Sequence, residues 1–352
     1  MILTVLSLSF TAFASGYLIS QKNFSKNTAS ISTEGVLNKF NNENPVPAES
    51  LAFPEKFKTL SPRNVLSPTI SKEKDSIIFY EKSTGKVFEI TLSDLKEKVI
   101  SETLLANLTA TMWSPNKKEV ISTFYHPNGA QYKYFNYKTR KSVDLGNDIK
   151  SLSFSPNGNQ IIYFGTKDDS AGIFISTPDG NSFKKLISSR LEEIEVYWPL
   201  EETMFFKTET ENSSELYSLS KTGEVKKIIS SDKALDIKFS KDGSRILFSK
   251  KDSSGFDLFY KEITSETEIN LQVATSASKC DWETGNQSIV CGIPKSSNLG
   301  DEIYEIKTDG TKNLLSSPEF RINTAELFIS NTDIVILNSI NNKLYSLKRS
   351  AP

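Results

Sequence analysis

The sequence is poor in the side chains that most often build metal and acid–base sites. It contains one histidine in 352 residues, His126, and only two cysteines. Sites that need two or more histidines from this chain are therefore excluded. His126 stands in "YHPNG", a stretch that is typical of a turn. We therefore expect neither a metal ligand nor a catalytic residue at this position.

Motifs for nucleotides and for hydrolase serines are missing as well. No two of the 16 glycines are separated by a single residue, so neither G-x-G-x-x-G nor G-x-S-x-G occurs. The few arginines are scattered and the net charge is -1, so nothing favours a bulk attraction to nucleic acid. The sequence predicts no cofactor, no metal and no nucleic-acid partner.

The first 54 residues differ in composition from the rest. Residues 1–21 are mostly apolar and uncharged, which indicates a signal anchor or a signal peptide. Residues 22–54 are rich in Asn, Ser, Lys and Pro and predict a disordered polar linker. Lysines that follow the apolar segment oppose export under the positive-inside rule. The order of apolar segment, tether and β-rich domain nevertheless favours a membrane-anchored or secreted protein whose folded part lies outside the cytoplasm.

Beyond the linker, one pattern recurs seven times. An apolar residue is followed by a tight turn and then by a β run, as in "FSPNGNQIIYF" at residues 154–164. The copies follow one another at roughly 40 to 45 residues, which is the period of a four-stranded propeller blade. The apolar residues, which we interpret as anchors that pack neighbouring blades together, are Ile70, Trp113, Phe154, Trp198, Phe239, Trp282 and Phe328.

The seventh copy lacks a fourth strand, and a segment with that pattern precedes the first anchor. This segment is "KFKTLSP", residues 56–62. We predict that it pairs into the last blade, because such pairing closes the ring and removes an open junction between sheets. The predicted fold is all-β, a seven-bladed β-propeller of four-stranded antiparallel blades over residues 55–352. An N-terminal hydrophobic helix and a flexible tether precede it.

Two of the turns carry a signature that is also found in a known family. "FSPNG" at residues 154–158 and "FSKDG" at residues 239–243 match the "FSPDG" signature, and "WSPNK" at residues 113–117 is a looser match. The chain thus resembles the TolB-like family of WD-like propeller repeats over residues 55–352. The resemblance implies the propeller fold. It leaves function open, because such propellers serve as docking platforms, as lids on hydrolases and occasionally as enzymes.

The two cysteines fall within one predicted hairpin. Aligning "CDWETGNQSIVC" on "LSFSPNGNQIIY" places Cys280 and Cys291 opposite each other on the first two strands of the sixth blade. Cross-strand neighbours are close enough for a disulfide. A disulfide, which would suit an exported protein, and a pair of reduced, packed thiols both remain open.

Loops between the second and third strands share one face of a propeller with the loops that join successive blades. They are polar and variable in length, which favours this face as the place where a partner docks. The candidate binding residues in these loops are His126, Asn128, Asp168, Asp169, Glu209, Glu211, Asp252 and Asn298.

The function that these observations favour is a non-catalytic, membrane-tethered propeller that binds another protein or a component of the cell envelope. We expect a monomer with no catalytic residue. One alternative is an enzyme that acts on glycans or peptides through a pair of carboxylates in the channel. A spacer without a defined ligand is a further alternative.

Overall fold

The propeller predicted from the repeats is confirmed. A computed structural model describes residues 57–146, 148–252, 255–295 and 299–349, and these residues form seven four-stranded antiparallel sheets. The helix and linker predicted for residues 1–54 lie outside the described residues. Among the residues that are described, no helix is long and apolar enough to cross a bilayer.

The seven sheets are numbered here as blades 1 to 7. Blades 1 to 3 contain β2 (Val65–Ile70), β3 (Ser76–Glu81), β4 (Val87–Thr91), β5 (Glu97–Ser101), β6 (Leu108–Trp113), β7 (Glu119–His126), β8 (Gly129–Asn136), β9 (Ser142–Gly146), β10 (Ile149–Phe154), β11 (Ile161–Lys167), β12 (Ser170–Ser176) and β13 (Lys184–Ser188). Blades 4 and 5 contain β14 (Ile194–Tyr197), β15 (Thr203–Glu209), β16 (Ser214–Ser220), β17 (Val225–Ser231), β18 (Ala234–Phe239), β19 (Arg245–Asp252), β20 (Gly255–Glu262) and β21 (Ile269–Asn270).

A short 3-10 helix, Ala277–Lys279, precedes blade 6. Blades 6 and 7 contain β22 (Cys280–Trp282), β23 (Ser288–Pro294), β24 (Asp301–Lys307), β25 (Lys312–Ser316), β26 (Thr324–Ile329), β27 (Asp333–Asn338), β28 (Lys343–Lys348) and, as the outermost strand of blade 7, β1 (Phe57–Thr59).

The strand from the N-terminal end of the described chain closes the ring. β1 is antiparallel to β28, with Phe57 opposite Leu347 and Thr59 opposite Tyr345. The paired residues are fewer than the 56–62 that the sequence pattern suggested. Leu60 follows the strand and is buried in the core shared by blades 7 and 1. The first and last parts of the propeller are therefore held in one sheet.

Apolar runs in the sequence correspond to the inner part of each blade. β3, "SIIFYE", is buried at five of its six positions, whereas the outer strand β5 has no buried residue. A strand that is covered on both faces by neighbouring sheets reads as a continuous apolar run. This explains why the second strand is the most hydrophobic part of its repeat.

The cores lie between neighbouring blades, and the anchor residues point into them. Trp198 packs against blade 3 among Ile162 and Phe164, and Trp282 packs against blade 5. In blade 7 this position is occupied by Ile329, which packs with Val290 of blade 6.

Phe328, which the repeat pattern named as the seventh anchor, lies on the opposite side of its strand. It packs against the core shared with blade 1. Successive side chains of a strand point to opposite faces. An assignment that is wrong by one residue therefore places the anchor in the core on the other side of the blade. Ile329 is therefore the seventh anchor.

The residue after the anchor shows why the turn has its sequence. Ser155 is fully buried; its hydroxyl donates to Asn157 Oδ1 at 2.9 Å and accepts from the Gln160 N–H at 3.1 Å. Gly158 adopts a φ of +77°, which glycine accepts without strain. "FSPNG" is thus a structural corner between the first and second strands, stabilised by a buried serine.

Candidate functional site: the loop face and the central channel

The antiparallel strands give the propeller two different faces. One face, called the loop face here, carries the loops between second and third strands and the loops that join successive blades. The opposite face, called the turn face, carries the tight turns between first and second strands and between third and fourth strands. The innermost strands β2, β6, β10, β14, β18, β22 and β26 line the central channel.

Four of the eight candidate binding residues lie at the tips of two hairpins on the loop face. Asp168 and Asp169 are the two residues between β11 and β12, and both have positive φ, 49° and 57°. Such two-residue hairpins favour Asp, Asn or Gly at both positions. The His126 ring accepts a hydrogen bond through Nδ1 from the Asn128 N–H at 3.3 Å, within its own turn. Turn geometry therefore accounts for Asp168 and Asp169, and the His126 ring bonds within its own turn.

The remaining candidates are spread around the same face. Glu211 is exposed in the loop between β15 and β16. Asp252 ends β19, and its side chain lies outside the described part of the structure, as does Asn298. In the described ranges, no hydrogen bond or ion pair joins the candidate residues of different loops. They do not form one compact site.

Glu209 is the candidate that lines a cavity. A cavity of about 490 Å³ opens on the loop face between blades 3 and 4. Its charged lining residues are Lys150, Glu192, Glu193, Glu195, Lys207 and Glu209. Lys207 Nζ lies 2.8 Å from Glu195 Oε2 and 3.9 Å from Glu209 Oε2. Four carboxylates thus face two ammonium groups, which makes the opening acidic.

A second cavity continues from this opening into the channel. It has a volume of about 320 Å³ and shares Ser151 and Glu195 with the first. Thr111 Oγ1 is buried in its wall without a hydrogen-bond partner. Burial raises the pKa of Tyr197 well above its ordinary value of 10.0, so this hydroxyl stays protonated at neutral pH. The wall of this cavity therefore combines a few hydroxyl groups with apolar side chains such as Met112 and Leu152.

Side chains of one innermost strand hydrogen-bond the backbone of the next. Ser67 Oγ accepts from the Thr111 N–H at 2.9 Å, and Ser151 Oγ accepts from the Val196 N–H at 3.1 Å. Asp281 Oδ2 accepts from the Ile329 N–H at 3.0 Å. An innermost strand has a free edge, and these bonds satisfy N–H groups that no strand pairs. Several polar residues of the channel thus hold adjacent blades together.

Glu326 is the exception among these channel residues. Counted from the anchor Ile329, it holds the same position as Ser67 does relative to Ile70. The backbone position that it would bond in blade 1 is Pro68, which has no N–H. No described residue forms a hydrogen bond or an ion pair with its carboxylate, and burial raises its pKa from the ordinary value of 4.5. The nearby Lys238 opposes this shift only in part.

A lysine lies at the turn-face end of the channel. Lys117 Nζ donates a hydrogen bond to Thr69 Oγ1 at 2.9 Å. Burial lowers the pKa of Lys117 to about 8, because the ammonium form loses its water. Lys117 has a positive φ of 59°, so it also occupies the left-handed position of its turn. This residue was not among the candidates, because its sequence context reads as an ordinary turn.

Exposed apolar side chains form two patches on the loop face. The first contains Leu299, Phe320 and Ile340 in three loops that touch, since the Asp301 N–H donates to Ile322 O and the Ser339 N–H donates to Asn323 O. We call it the patch of blades 6 and 7.

The second patch contains Leu104 and Tyr125, which are 69% and 65% exposed. Their segments are joined by a bond from the Tyr125 N–H to Asn107 O at 2.8 Å. We call it the patch of blades 1 and 2. Neither patch could be predicted from the sequence, because the pattern of apolar residues in a loop does not show whether their side chains are exposed.

Cys280 and Cys291 form a disulfide. They are directly opposite in β22 and β23, and both are fully buried. The pairing is the one that the repeat alignment allowed. In the parts of the chain that are described, no three His, Cys, Asp or Glu side chains come together as a metal site would require.

Comparisons with known proteins agree with the architecture. No family model and no curated protein matches the chain. Among solved structures, an oligogalacturonate lyase in complex with manganese is similar, with a TM-score of 0.62, 9% identity and coverage of 84% of this chain and 93% of that one. The β-propeller domain of the Trilobed protease from Pyrococcus furiosus has a TM-score of 0.59 and 12% identity, and the match covers 81% of this chain and 95% of that one.

TolB from Acinetobacter baumannii is also similar, with a TM-score of 0.49 and 12% identity. The match covers 81% of this chain but only 63% of the TolB chain. At these identities the comparisons show the fold alone. The sheet topology defines a seven-bladed β-propeller, and the resemblance to TolB-like repeats and the similar solved structures agree with the propeller fold.

Proposed function

We propose that this chain is a non-catalytic propeller, tethered to a membrane with its folded part outside the cytoplasm. In this proposal its loop face binds another protein or a component of the cell envelope. The observation that carries it is the patch of blades 6 and 7, where loops joined by backbone hydrogen bonds expose Leu299 and Ile340 and leave Phe320, which packs on Phe57 and Tyr345, partly exposed. Contiguous exposed apolar surface on a soluble domain favours an interaction site.

The channel residues support a non-catalytic role. A glycosidase-type mechanism needs two carboxyl groups that are free to exchange protons with a substrate. Asp281 is held by the Ile329 N–H and by Lys241, whose Nζ lies 3.4 Å away, and Glu195 is paired with Lys207. Asp236 accepts from the Ser278 N–H at 2.8 Å. These bonds favour a structural use of Asp281, Glu195 and Asp236. Glu326 has no such bond, but a single free carboxyl does not supply the pair that this mechanism needs.

Crosslinking in the native envelope tests the proposal. Leu299→Ser/Ile340→Ser should lose a stoichiometric partner that the unaltered chain captures, because a docked apolar side chain contributes through burial. A matched control is Val99→Ser/Leu314→Ser, which removes exposed apolar side chains from the outer strands β5 and β25.

The outcomes separate three roles. Loss of the partner with the loop-face variant alone supports docking at the patch of blades 6 and 7. Equal capture by both variants contradicts docking there. Absence of any reproducible partner for the unaltered chain favours a spacer.

A further inference from the structure

The direction of β1 determines where the preceding chain leaves the propeller. Phe57 pairs with Leu347, near the end of β28, and Thr59 pairs with Tyr345. The third strand of a blade runs from the loop face to the turn face, so the end of β28 lies at the turn face. The described chain therefore begins at the turn face. The apolar segment of residues 1–21 precedes this point in the sequence.

The same face carries a dense group of positive charges on blade 2. Lys118 follows the first strand of the blade, and Lys138, Arg140 and Lys141 lie in the turn after its third strand. All four are exposed. The two turns are contiguous, because the Tyr137 N–H donates to Lys118 O at 2.8 Å. We call these four residues the basic edge.

Few carboxylates neutralise the basic edge. Lys141 is paired with Asp179 of blade 3, with Nζ and Oδ2 2.6 Å apart. Glu119 of the same blade is occupied by Tyr134 and Asn136, which both donate to its Oε1 at 2.7 Å. Among the described residues, none forms an ion pair with Lys118, Lys138 or Arg140. Three cations are thus left to act on an external anion.

Other blades do not share this charge. The corresponding turns of blade 4 carry Glu201, Glu202 and Glu224 against a single Lys221. The positive charge is therefore localised on blade 2, although the net charge of the whole chain is -1. Localised basic clusters beside a membrane segment bind anionic lipid head groups.

We propose that the basic edge rests on the anionic lipid head groups of the membrane that holds the chain's own N-terminal segment. This inference rests on the membrane tether of the proposed function. It fits the position of Phe57, because the described chain begins on the same face as the basic edge. The loop face, with its apolar patches, then points away from the membrane and is open to a partner.

The test uses the full chain in lipid nanodiscs. One set contains zwitterionic lipid only, and the other also contains anionic phospholipid. The readout is the rate at which a soluble amine reagent modifies Lys138, measured on peptides by mass spectrometry. Lys138 should react about tenfold more slowly beside anionic lipid, whereas Lys82 on the loop face should react equally in both. The difference should vanish in about 1 M salt, where charges are screened within roughly 3 Å.

Charge reversal identifies the residues responsible. Lys118→Glu/Arg140→Glu leaves Lys138 as the reporter and should abolish its protection, since two fewer cations reduce surface binding by roughly 30-fold before any repulsion. Lys82→Glu/Arg190→Glu reverses two exposed charges on the loop face and should keep the protection. Unchanged unfolding midpoints for both variants would show that the fold is retained.

Two failures have different meanings. A chain that does not stay with the nanodiscs contradicts the membrane tether, and with it the proposed localisation. A chain that stays embedded while Lys138 reacts equally beside both lipids contradicts the basic edge alone. Protection of Lys82 instead of Lys138 would show that the loop face meets the membrane and would also overturn the inference.

Discussion

At the scale of single residues, the absence of one N–H group affects a carboxyl in another blade. Ser67 and Ser151 each accept a backbone hydrogen bond from the next innermost strand. Glu326 holds the equivalent position but meets Pro68, and its carboxyl is left without a donor. A buried carboxylate without a partner is less stable than its protonated form. The raised pKa of Glu326 follows from this local mismatch.

Replacing Glu326 by Gln should stabilise the protein at neutral pH by about 1 kcal/mol, because the buried charge is removed. The carboxyl binds its proton more tightly in the folded protein, so the stability that this group contributes is fully present below pH 4.5 and is lost as the pH rises through its raised pKa. The Gln variant should not show this pH-dependent loss of stability. Denaturant unfolding at a series of pH values measures it.

The matched control for this change is Glu195→Gln, which removes a carboxylate paired with Lys207. It should not stabilise the protein. If Glu326→Gln lowered stability at neutral pH as Glu195→Gln does, Glu326 would have a partner and the account based on Pro68 would be wrong.

Trp198 tests the anchors as core residues. It is 3% exposed and lies between blades 3 and 4. Trp198→Ala should lower the free energy of unfolding by about 3–5 kcal/mol, because it leaves a large cavity. Leu191→Ala, at an exposed position on the loop face, should change it by less than about 0.5 kcal/mol. Denaturant titration compares the two, and equal stability would contradict the packing role of Trp198.

The anchors also show which core positions the repeat pattern predicts correctly and which it does not. Six were placed by an apolar residue before a turn. In the seventh repeat the pattern selects Phe328, but Ile329 occupies the anchor position in the core shared with blade 6. The buried serine was the better guide, because Ser330 follows Ile329 as Ser155 follows Phe154, and Ser330 also binds its own turn. A polar residue with a fixed hydrogen-bond role marked the register more reliably than aromatic character did.

At the scale of elements, the hairpin of β22 and β23 combines short strands with a covalent link. β22 has three residues, and the disulfide joins its first residue to β23 across a separation of 11 residues. The repeat period could place these cysteines opposite each other, because hairpin register follows from the turn. The bonds between innermost strands could not be predicted in this way, since they join side chains of one repeat to the backbone of the next.

Removing the disulfide should weaken the protein by about 2–3 kcal/mol, as expected for a short closed loop. Cys280→Ala/Cys291→Ala should have a lower unfolding midpoint that does not respond to reductant, whereas the midpoint of the unaltered protein should fall when reductant is added. Intact mass under non-reducing conditions should show no free thiol in the unaltered protein. Two free thiols in protein purified without reductant would disprove the link.

At the scale of the whole molecule, the ring depends on a strand of three residues. β1 supplies the fourth strand of blade 7, and the following Leu60 is buried between blades 7 and 1. Phe57 also contacts Phe320, with ring centroids 5.8 Å apart. The first and last blades are therefore coupled by contacts that the sequence order alone does not supply, and loss of the strand should affect the entire ring.

A chain that begins at Ser61 should lose several kcal/mol of stability, since it leaves the apolar surfaces that covered Leu60 and Phe57 exposed and the edge of β28 unpaired. A chain that begins at Glu55 keeps β1 and should unfold as the full chain does. Calorimetry and hydrogen exchange compare the three proteins. Faster exchange in β27 and β28 of the Ser61 chain, together with a lower unfolding temperature, is expected. If the Ser61 and Glu55 chains had equal stability, β1 would be a passive edge strand, and the closure of the ring would rest on contacts between blades 7 and 1 alone.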